Sequence, residues 1–126
     1  MRLLLVCIGG ALGSGARYLT AIWAAAALGP AFPYGTLIVN LVGSFLIAFI
    51  MHVGSTTEML SADVRVMLTT GVMGGFTTYS TFNYETTGYF REGAWMIGML
   101  NVGVTVAGCL AAGFAGLMLA RVMFGR

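Results

Sequence analysis

The sequence predicts an all-α integral membrane protein with four transmembrane helices and a break in the third. Of its 126 residues 59% are apolar and only 8% are charged, and the mean hydropathy is +0.93. The charges fall mostly outside four long apolar runs, at residues 3–28, 36–53, 66–89 and 94–124. Each run is close to or above the about 20 residues that a helix needs to cross the hydrocarbon core.

Turn-forming or polar segments separate these runs and predict a single four-helix domain over residues 1–126. Residues 28–35 form a Pro/Gly turn, residues 54–65 are the polar loop, and residues 91–93 close the last hairpin. Ser61, followed by Asp63 in the first turn, is the expected N-cap of the third helix.

An even number of spans places both termini on one side of the membrane. That side carries Arg2, Arg65, Arg121 and Arg126 against Arg91 opposite, which favours a cytoplasmic location for it. The bias is small and leaves insertion in both orientations open. The charges are scattered rather than clustered, so the sequence predicts no nucleic-acid partner.

Small residues recur at spacing four in the first and last runs. In the first run these are Gly9 with Gly13 and Ala11 with Gly15, a pattern that lets helix backbones approach closely in a bilayer. A phosphate-binding loop is excluded because the glycine spacing and the required Lys are missing. The last run repeats the pattern at Gly108, Ala112, Gly116 and Ala120.

The third run differs from the others because glycines and hydroxyl residues interrupt it. Gly71, Gly74 and Gly75 precede a dense hydroxyl run, and both residue types weaken a regular helix. Backbone groups freed at membrane depth are tolerated only inside protein or along an aqueous cavity, as in the broken helices of transporters. This segment is therefore the first candidate for the functional site.

Polar side chains form a stripe on each of two helices. For Asn40 on the second helix, a role in a polar pathway is favoured over interhelical hydrogen bonding. For the individual hydroxyl residues, interhelical bonding is the simpler interpretation. The two stripes are Thr36, Asn40 and Ser44, and Asn101, Thr105 and Cys109.

Arg17 and Glu85 are charged residues that lie well inside the runs, where charge is costly and usually paired or functional. Three interpretations of Arg17 are open. It forms a structural ion pair with Glu85, it reaches the membrane interface, or it draws anions toward a pore. For Glu85 a structural hydrogen-bonding role is favoured. The single His52 is expected to lie in the core or at the interface, and Cys7 and Cys109 are expected to be buried free thiols, with no metal site.

Tyr79 and Phe82 share one face of the interrupted third helix. Packing is the ordinary interpretation, but aromatic ring edges are positive and can contact a small dehydrated anion beside the hydroxyl donors Ser80 and Thr81.

Three motifs together resemble the small bacterial fluoride channels of the Fluc/CrcB family over nearly the whole chain. They are GGALGSGARY at residues 9–18, YGTLIVNLVGSF at residues 34–45 and GVMGGFTTYSTFNYET at residues 71–86. The resemblance implies an antiparallel, dual-topology homodimer in the bacterial cytoplasmic membrane, with two fluoride pores and a Na⁺ at its centre.

Residue by residue, the resemblance implies the following roles. Asn40 is the pore asparagine, Tyr79 and Phe82 are the aromatic pair, and Arg17 is the vestibule arginine. Backbone carbonyls of Gly74 and Thr77 hold the Na⁺. The polar track on the last helix corresponds to Asn101, Thr105 and Cys109.

The sequence departs from the family at Tyr79, where the TTFSTF motif usually has Phe. The expected function is passive fluoride export without a catalytic nucleophile or redox cofactor. A small multidrug antiporter has a similar length, but it needs an intramembrane carboxylate, and the first helix carries Arg17 instead. A non-transporting assembly subunit explains the small-residue faces but neither the polar stripes nor the break.

Overall fold

The computed structural model describes residues 1–125, so Arg126, one of the arginines that set the predicted topology, lies outside the described residues. Every regular element within residues 1–125 is helical. Three helices in this part of the chain are long and apolar enough to cross a membrane: α1 (Arg2–Leu28), α2 (Tyr34–Thr56) and α6 (Trp95–Phe124). The protein is therefore an all-helical, multi-pass membrane protein.

The predicted boundaries of these three helices differ from the structure by a few residues at most. The largest change is in α2, which begins two residues before the predicted residue 36 and continues three residues beyond the predicted residue 53. The turn after α1 contains Gly29 at φ 82°, and the hairpin before α6 contains Gly93 at φ 77°. Both glycines adopt the left-handed conformation that L side chains avoid.

The third predicted run is a series of shorter elements instead of one continuous helix. It consists of α3 (Ala62–Val66), a π-helical segment (Met67–Met73), α4 (Gly74–Phe76) and α5 (Tyr79–Arg91). Thr77 and Thr78 lie between α4 and α5 with extended backbones, at φ −84°, ψ 159° and φ −154°, ψ 115°. The Ser61 cap is confirmed, because its hydroxyl accepts a hydrogen bond from Val64 N at 3.3 Å.

Glycines bring α1 into backbone contact with the π-helical segment and α4. A Cβ at Gly13 would lie 2.9 Å from the Phe76 nitrogen, and one at Gly9 would lie 2.7 Å from the Met67 carbonyl oxygen. On the facing side, a Cβ at Gly75 would approach the Gly10 carbonyl oxygen to 2.5 Å. The first small-residue pair therefore packs as predicted.

The second pair on α1 does not make such a contact in the chain. Ala11 is exposed, and no atom outside the local helix lies within 4 Å of a Cβ built at Gly15. This pair is offset from Gly9 and Gly13 by two residues, about 200° around the helix, so it faces away from the interior.

The last helix packs closely against α2, again through small residues. A Cβ at Gly116 would lie 3.0 Å from the Phe45 carbonyl carbon, and Ala120 has no exposed surface. Gly108 faces the Leu41 side chain in the same way. The small-residue stripe on α6 is therefore a packing surface for α2.

Polar contacts connect neighbouring helices at the end of the molecule that carries the N-terminus. Arg2 Nε lies 2.5 Å from Asp63 Oδ1, which ties the start of α1 to α3. Arg65 Nη1 donates to the Gly54 carbonyl at 2.8 Å, so a cation satisfies a carbonyl in the last turn of α2.

Candidate functional site

The interruption between α4 and α5 is held by the side chain of Asn40. Thr78 N donates to Asn40 Oδ1 at 2.8 Å, and Asn40 Nδ2 donates to the Thr78 carbonyl at 2.9 Å. These two bonds fix which amide atom is oxygen and which is nitrogen. A buried side-chain amide thus replaces a helical backbone partner at the interruption, a role of Asn40 that was not predicted from the sequence.

The hydroxyl of Thr78 caps α5 at the same point. Thr78 Oγ1 accepts from Thr81 N at 3.2 Å and lies 3.0 Å from Thr81 Oγ1 and 3.3 Å from Ser80 Oγ. Ser80 and Thr81 are exposed on the chain, whereas Thr78 is buried. The start of α5 therefore presents a cluster of hydroxyls at the positive end of a helix.

A cavity of about 370 Å³ lies beside this interruption, between α2, the interrupted segment and α6. Most of the predicted site residues meet there. They are Asn40, Gly74, Thr77, Tyr79, Phe82, Thr105 and Cys109, together with Ser44 from the second-helix stripe. Ser80, Thr81, Asn101 and Arg17 are not among its lining residues.

Asn101 lies next to this cavity but is engaged in a chain of hydrogen bonds between α5 and α6. Its Nδ2 donates to Thr86 Oγ1 at 2.9 Å, and its Oδ1 accepts from Thr105 Oγ1 at 3.3 Å. Thr86 Oγ1 in turn donates to the Phe82 carbonyl at 2.7 Å. Asn101 is 1% exposed, so it links the two helices from a fully buried position. Sequence reasoning missed Thr86, although its spacing of four from Phe82 is a usable signal.

The aromatic pair is asymmetric. Tyr79 and Phe82 are in contact, with ring centroids 5.7 Å apart and planes tilted by 57°. Phe82 is only 8% exposed, whereas Tyr79 is 77% exposed. One ring belongs to the interior of the chain and the other projects from it.

Arg17 lines a second cavity, of about 340 Å³, between α1 and α2. Thr78 and Thr81 also line this cavity, so Thr78 separates it from the first. The suggested Arg17–Glu85 ion pair is wrong within the chain, because Arg2–Asp63 is the only ion pair among residues 1–125. Glu85 Oε1 instead accepts a hydrogen bond from Thr36 Oγ1 at 2.8 Å.

The carbonyls of Gly74 and Thr77 fit a cation such as Na⁺. Thr78 N donates to Asn40 instead of to the Gly74 carbonyl, its partner in a continuous helix, and the extended Thr77 backbone leaves the helix. Carbonyls released in this way at broken helices coordinate Na⁺ in transporters. Both residues line the first cavity, and Gly74 is exposed on the chain.

The remaining candidate ligands are dispersed. His52 is buried, with Nε2 3.2 Å from the Gly125 carbonyl, as expected for a core or interfacial His. Both cysteines are free, but the expectation that both are buried is wrong, because Cys7 is exposed on α1. A helix that faces lipid exposes such a residue at no cost. No group of three His, Cys, Asp or Glu side chains able to hold a metal occurs within residues 1–125.

A broken helix beside a polar cavity at membrane depth is typical of channels and transporters. The chain belongs to the CrcB family: the family model described as "CrcB-like protein, Camphor Resistance (CrcB)" matches residues 4–117. This is a family of ion channels and not of enzymes.

Similar proteins cover nearly the whole chain. A protein of Anaeromyxobacter dehalogenans named "Fluoride-specific ion channel FluC" is 56% identical over 124 residues, which is 98% of each chain. Proteins of the same name from Sorangium cellulosum and Geobacter sulfurreducens are 48% identical over 114 residues and 46% identical over 119 residues. These alignments cover 90% of both chains for the former, and 94% of this chain and 96% of the relative for the latter.

Proposed function

We propose that this protein is a fluoride-selective channel that passively exports F⁻ across the bacterial cytoplasmic membrane. The observation that carries the proposal is the cavity beside the helix interruption, where Asn40, Thr105 and the Tyr79–Phe82 pair come together. Its lining offers amide and hydroxyl donors and aromatic edges but no cationic side chain. The names of the relatives support fluoride as the ion.

The proposed route begins at the Arg17 cavity. A cation in a cleft attracts anions, and the hydroxyls of Ser80 and Thr81 lie at the start of α5, where the helix dipole is positive. The anion then passes Thr78, which lines both cavities, and Asn40, which lines the first cavity and is hydrogen-bonded to Thr78. The route continues along the stripe of α6 at Thr105 and Cys109. Asn101 lies one turn before Thr105 and accepts a hydrogen bond from its hydroxyl.

Selectivity in this proposal comes from a narrow path with fixed donors. Pore diameter, donor number and electrostatic field together decide which ion sheds its water. Fluoride is small and accepts strong hydrogen bonds, so hydroxyl and amide donors replace its hydration shell, while chloride is too large for the path. Aromatic edges at Tyr79 and Phe82 contribute weak positive contacts.

The working form in this proposal is an antiparallel homodimer of chains inserted in both orientations. The first cavity is open in the single chain, and Gly74 and the Tyr79 ring are exposed next to it. A second copy would enclose these groups, complete two pores and bury the interruption away from lipid, as backbone at membrane depth requires. The interrupted segment then serves as the fourth crossing.

The central Na⁺ is part of the same proposal. The Gly74 and Thr77 carbonyls of two chains would hold the ion at the dimer centre. When bound there, Na⁺ supplies positive charge and links the interrupted segments of the two chains.

Flux measurements with the purified protein in liposomes test the function. We expect rapid, passive F⁻ efflux with Cl⁻ excluded and no dependence on a proton gradient. Cation exchange driven by a proton gradient would instead support a small multidrug-type antiporter, and no flux of either kind would indicate an assembly subunit. Either of these two results contradicts the proposed channel.

A further inference from the structure

One carboxyl group in the chain has no role in the route described above. Glu85 lies on α5, where its Oε1 accepts a hydrogen bond from Thr36 Oγ1 at 2.8 Å. Its Oε2 is enclosed and has no hydrogen-bond partner among residues 1–125. Among residues 1–125, the Thr36 hydroxyl is the one hydrogen-bond donor to this half-buried carboxyl.

Among residues 1–125, no cation forms an ion pair with Glu85. Glu85 lines a cavity of about 280 Å³, and no Arg, Lys or His side chain lines that cavity with it. The residues of α1 at this cavity are alanines. Arg17 lines the neighbouring cavity across Thr36 but forms no ion pair with Glu85.

An ionised carboxylate in this position would be unfavourable on two grounds. Burial of a charge without a partner has a large desolvation cost, which proteins usually avoid by keeping the group neutral. A negative charge beside Thr36 would also offset the attraction that Arg17 exerts on an anion in the adjoining cavity. A neutral acid avoids both effects.

We propose that Glu85 is a neutral carboxylic acid at pH 7, with its proton on Oε2, and that this neutrality leaves the positive charge of Arg17 uncompensated. The charge state itself is independent of the proposed function, whereas its effect on fluoride rests on it. As the pH rises until Glu85 ionises, the new negative charge opposes anion entry and flux falls.

Infrared spectroscopy of the purified protein tests the charge state directly, because a protonated carboxyl and a carboxylate absorb at different frequencies. The chain has only four acidic residues, Glu58, Asp63, Glu85 and Glu92. We expect a protonated-carboxyl band at pH 7 that persists in the matched triple variant Glu58→Gln, Asp63→Asn, Glu92→Gln. That variant leaves Glu85 as the only acidic side chain, so the assignment of a protonated side-chain carboxyl does not depend on whether Glu85→Gln folds. Carboxylate absorption alone in the triple variant at pH 7 would overturn the proposal.

A pH series of fluoride flux tests the consequence. Wild-type flux should decline over the same pH range in which the infrared band disappears, and Glu85→Gln should remove that decline. A decline of equal size in Glu85→Gln would contradict the effect of Glu85 on Arg17. If no variant carried fluoride at any pH, the channel proposal would fail, while the infrared result would still decide the charge state.

Discussion

The two halves of the interrupted segment are held in the protein by different physical means. The first half, residues 67–76, packs against α1 through backbone contacts at Gly9, Gly13 and Gly75. Tyr79–Arg91 is connected to α2 and α6 by side-chain hydrogen bonds, at Thr36–Glu85 and Thr86–Asn101. The first half therefore depends on the absence of side chains and the second on the presence of particular ones.

This difference places the functional groups. In membranes, close backbone packing and interhelical hydrogen bonds are the main sources of helix association, since lipid is as apolar as the helices. The glycine-packed half provides a rigid support, and the cavity opens where that packing ends, at Thr77 and Thr78. Substitutions in the two halves should accordingly fail in different ways.

The largest expected effect is from Gly13→Ala, which tests the glycine-packed half. The added Cβ would lie 2.9 Å from the Phe76 nitrogen and 3.0 Å from the Val72 carbonyl carbon, both of them backbone atoms. Overpacking of this kind costs typically about 1–3 kcal/mol. We expect a lower unfolding temperature in detergent and a large loss of folded protein.

Gly15→Ala on the same helix is the matched control. No atom outside the local helix lies within 4 Å of a Cβ at Gly15, so its effect on the folded chain should be small. Equal destabilisation by Gly13→Ala and Gly15→Ala would contradict backbone contact at Gly13 as the cause, because Ala favours a helix more than Gly does at both positions.

Asn40→Asp tests the hydrogen-bonded side of the comparison. The substitution keeps the acceptor for Thr78 N but removes the donor to the Thr78 carbonyl, and an ionised Asp repels anions. We expect fluoride efflux from liposomes to be abolished while the protein still assembles. Loss of one buried hydrogen-bond partner typically costs about 1–3 kcal/mol, so a reduced melting temperature should accompany it.

Undiminished fluoride efflux in Asn40→Asp would exclude Asn40 from the route. Thr87→Ala is a suitable comparison, because Thr87 is exposed and its hydroxyl bonds only to carbonyls of its own helix. That variant should retain both assembly and flux.

Sequence reasoning located the fold and the site well where a residue type has one physical consequence. Apolar runs and small residues at spacing four have such a meaning in a membrane, and the packing at Gly9, Gly13 and Gly116 follows from it. The glycine and hydroxyl run indicated the segment in which Thr77 and Thr78 are extended.

Sequence reasoning could not assign hydrogen-bond partners to polar side chains. Asn40 and Asn101 both belong to polar stripes, yet Asn40 bonds the backbone of Thr78 and Asn101 bonds the hydroxyl of Thr86. An amide offers two donors and an acceptor, so its partner depends on tertiary distances that spacing within one helix does not contain. The Arg17–Glu85 pair was wrong for the same reason, since opposite charges in two runs need not lie close together.

A smaller effect is expected where the two halves meet, at the proposed Na⁺ carbonyls. Thr77→Ser should retain Na⁺ binding, because the hydroxyl that donates to the Met73 carbonyl at 2.9 Å remains. A Cβ at Gly43 would collide with the Thr77 methyl group, so Gly43→Ala should displace the backbone and weaken binding. The double variant should recover affinity, since Ser lacks that methyl group.

Isothermal titration of Na⁺ into protein prepared without it measures these affinities. Weaker binding in Thr77→Ser than in Gly43→Ala would contradict a site made of main-chain carbonyls. A structure of the assembled protein with a continuous helix at residues 74–78 and no central ion would exclude the site altogether.

The smallest expected effect is from Tyr79→Phe, on the exposed ring beside the cavity. The Tyr79 side chain is 77% exposed and lines the cavity, so its hydroxyl extends a ring that reaches into the proposed route. Such a group slows every ion or donates to fluoride, whereas exclusion of chloride depends on the whole narrow path. We therefore expect Tyr79→Phe to keep or raise fluoride flux with chloride still excluded.

Phe82→Ile is the contrasting variant, because Phe82 is the buried member of the pair and its carbonyl accepts the Thr86 hydroxyl. Loss of its aromatic edge should depress fluoride flux, measured in the same liposomes. If instead Tyr79→Phe were inactive or admitted chloride, the hydroxyl would be a required fluoride ligand, and coordination by ring edges would be the wrong description of this position.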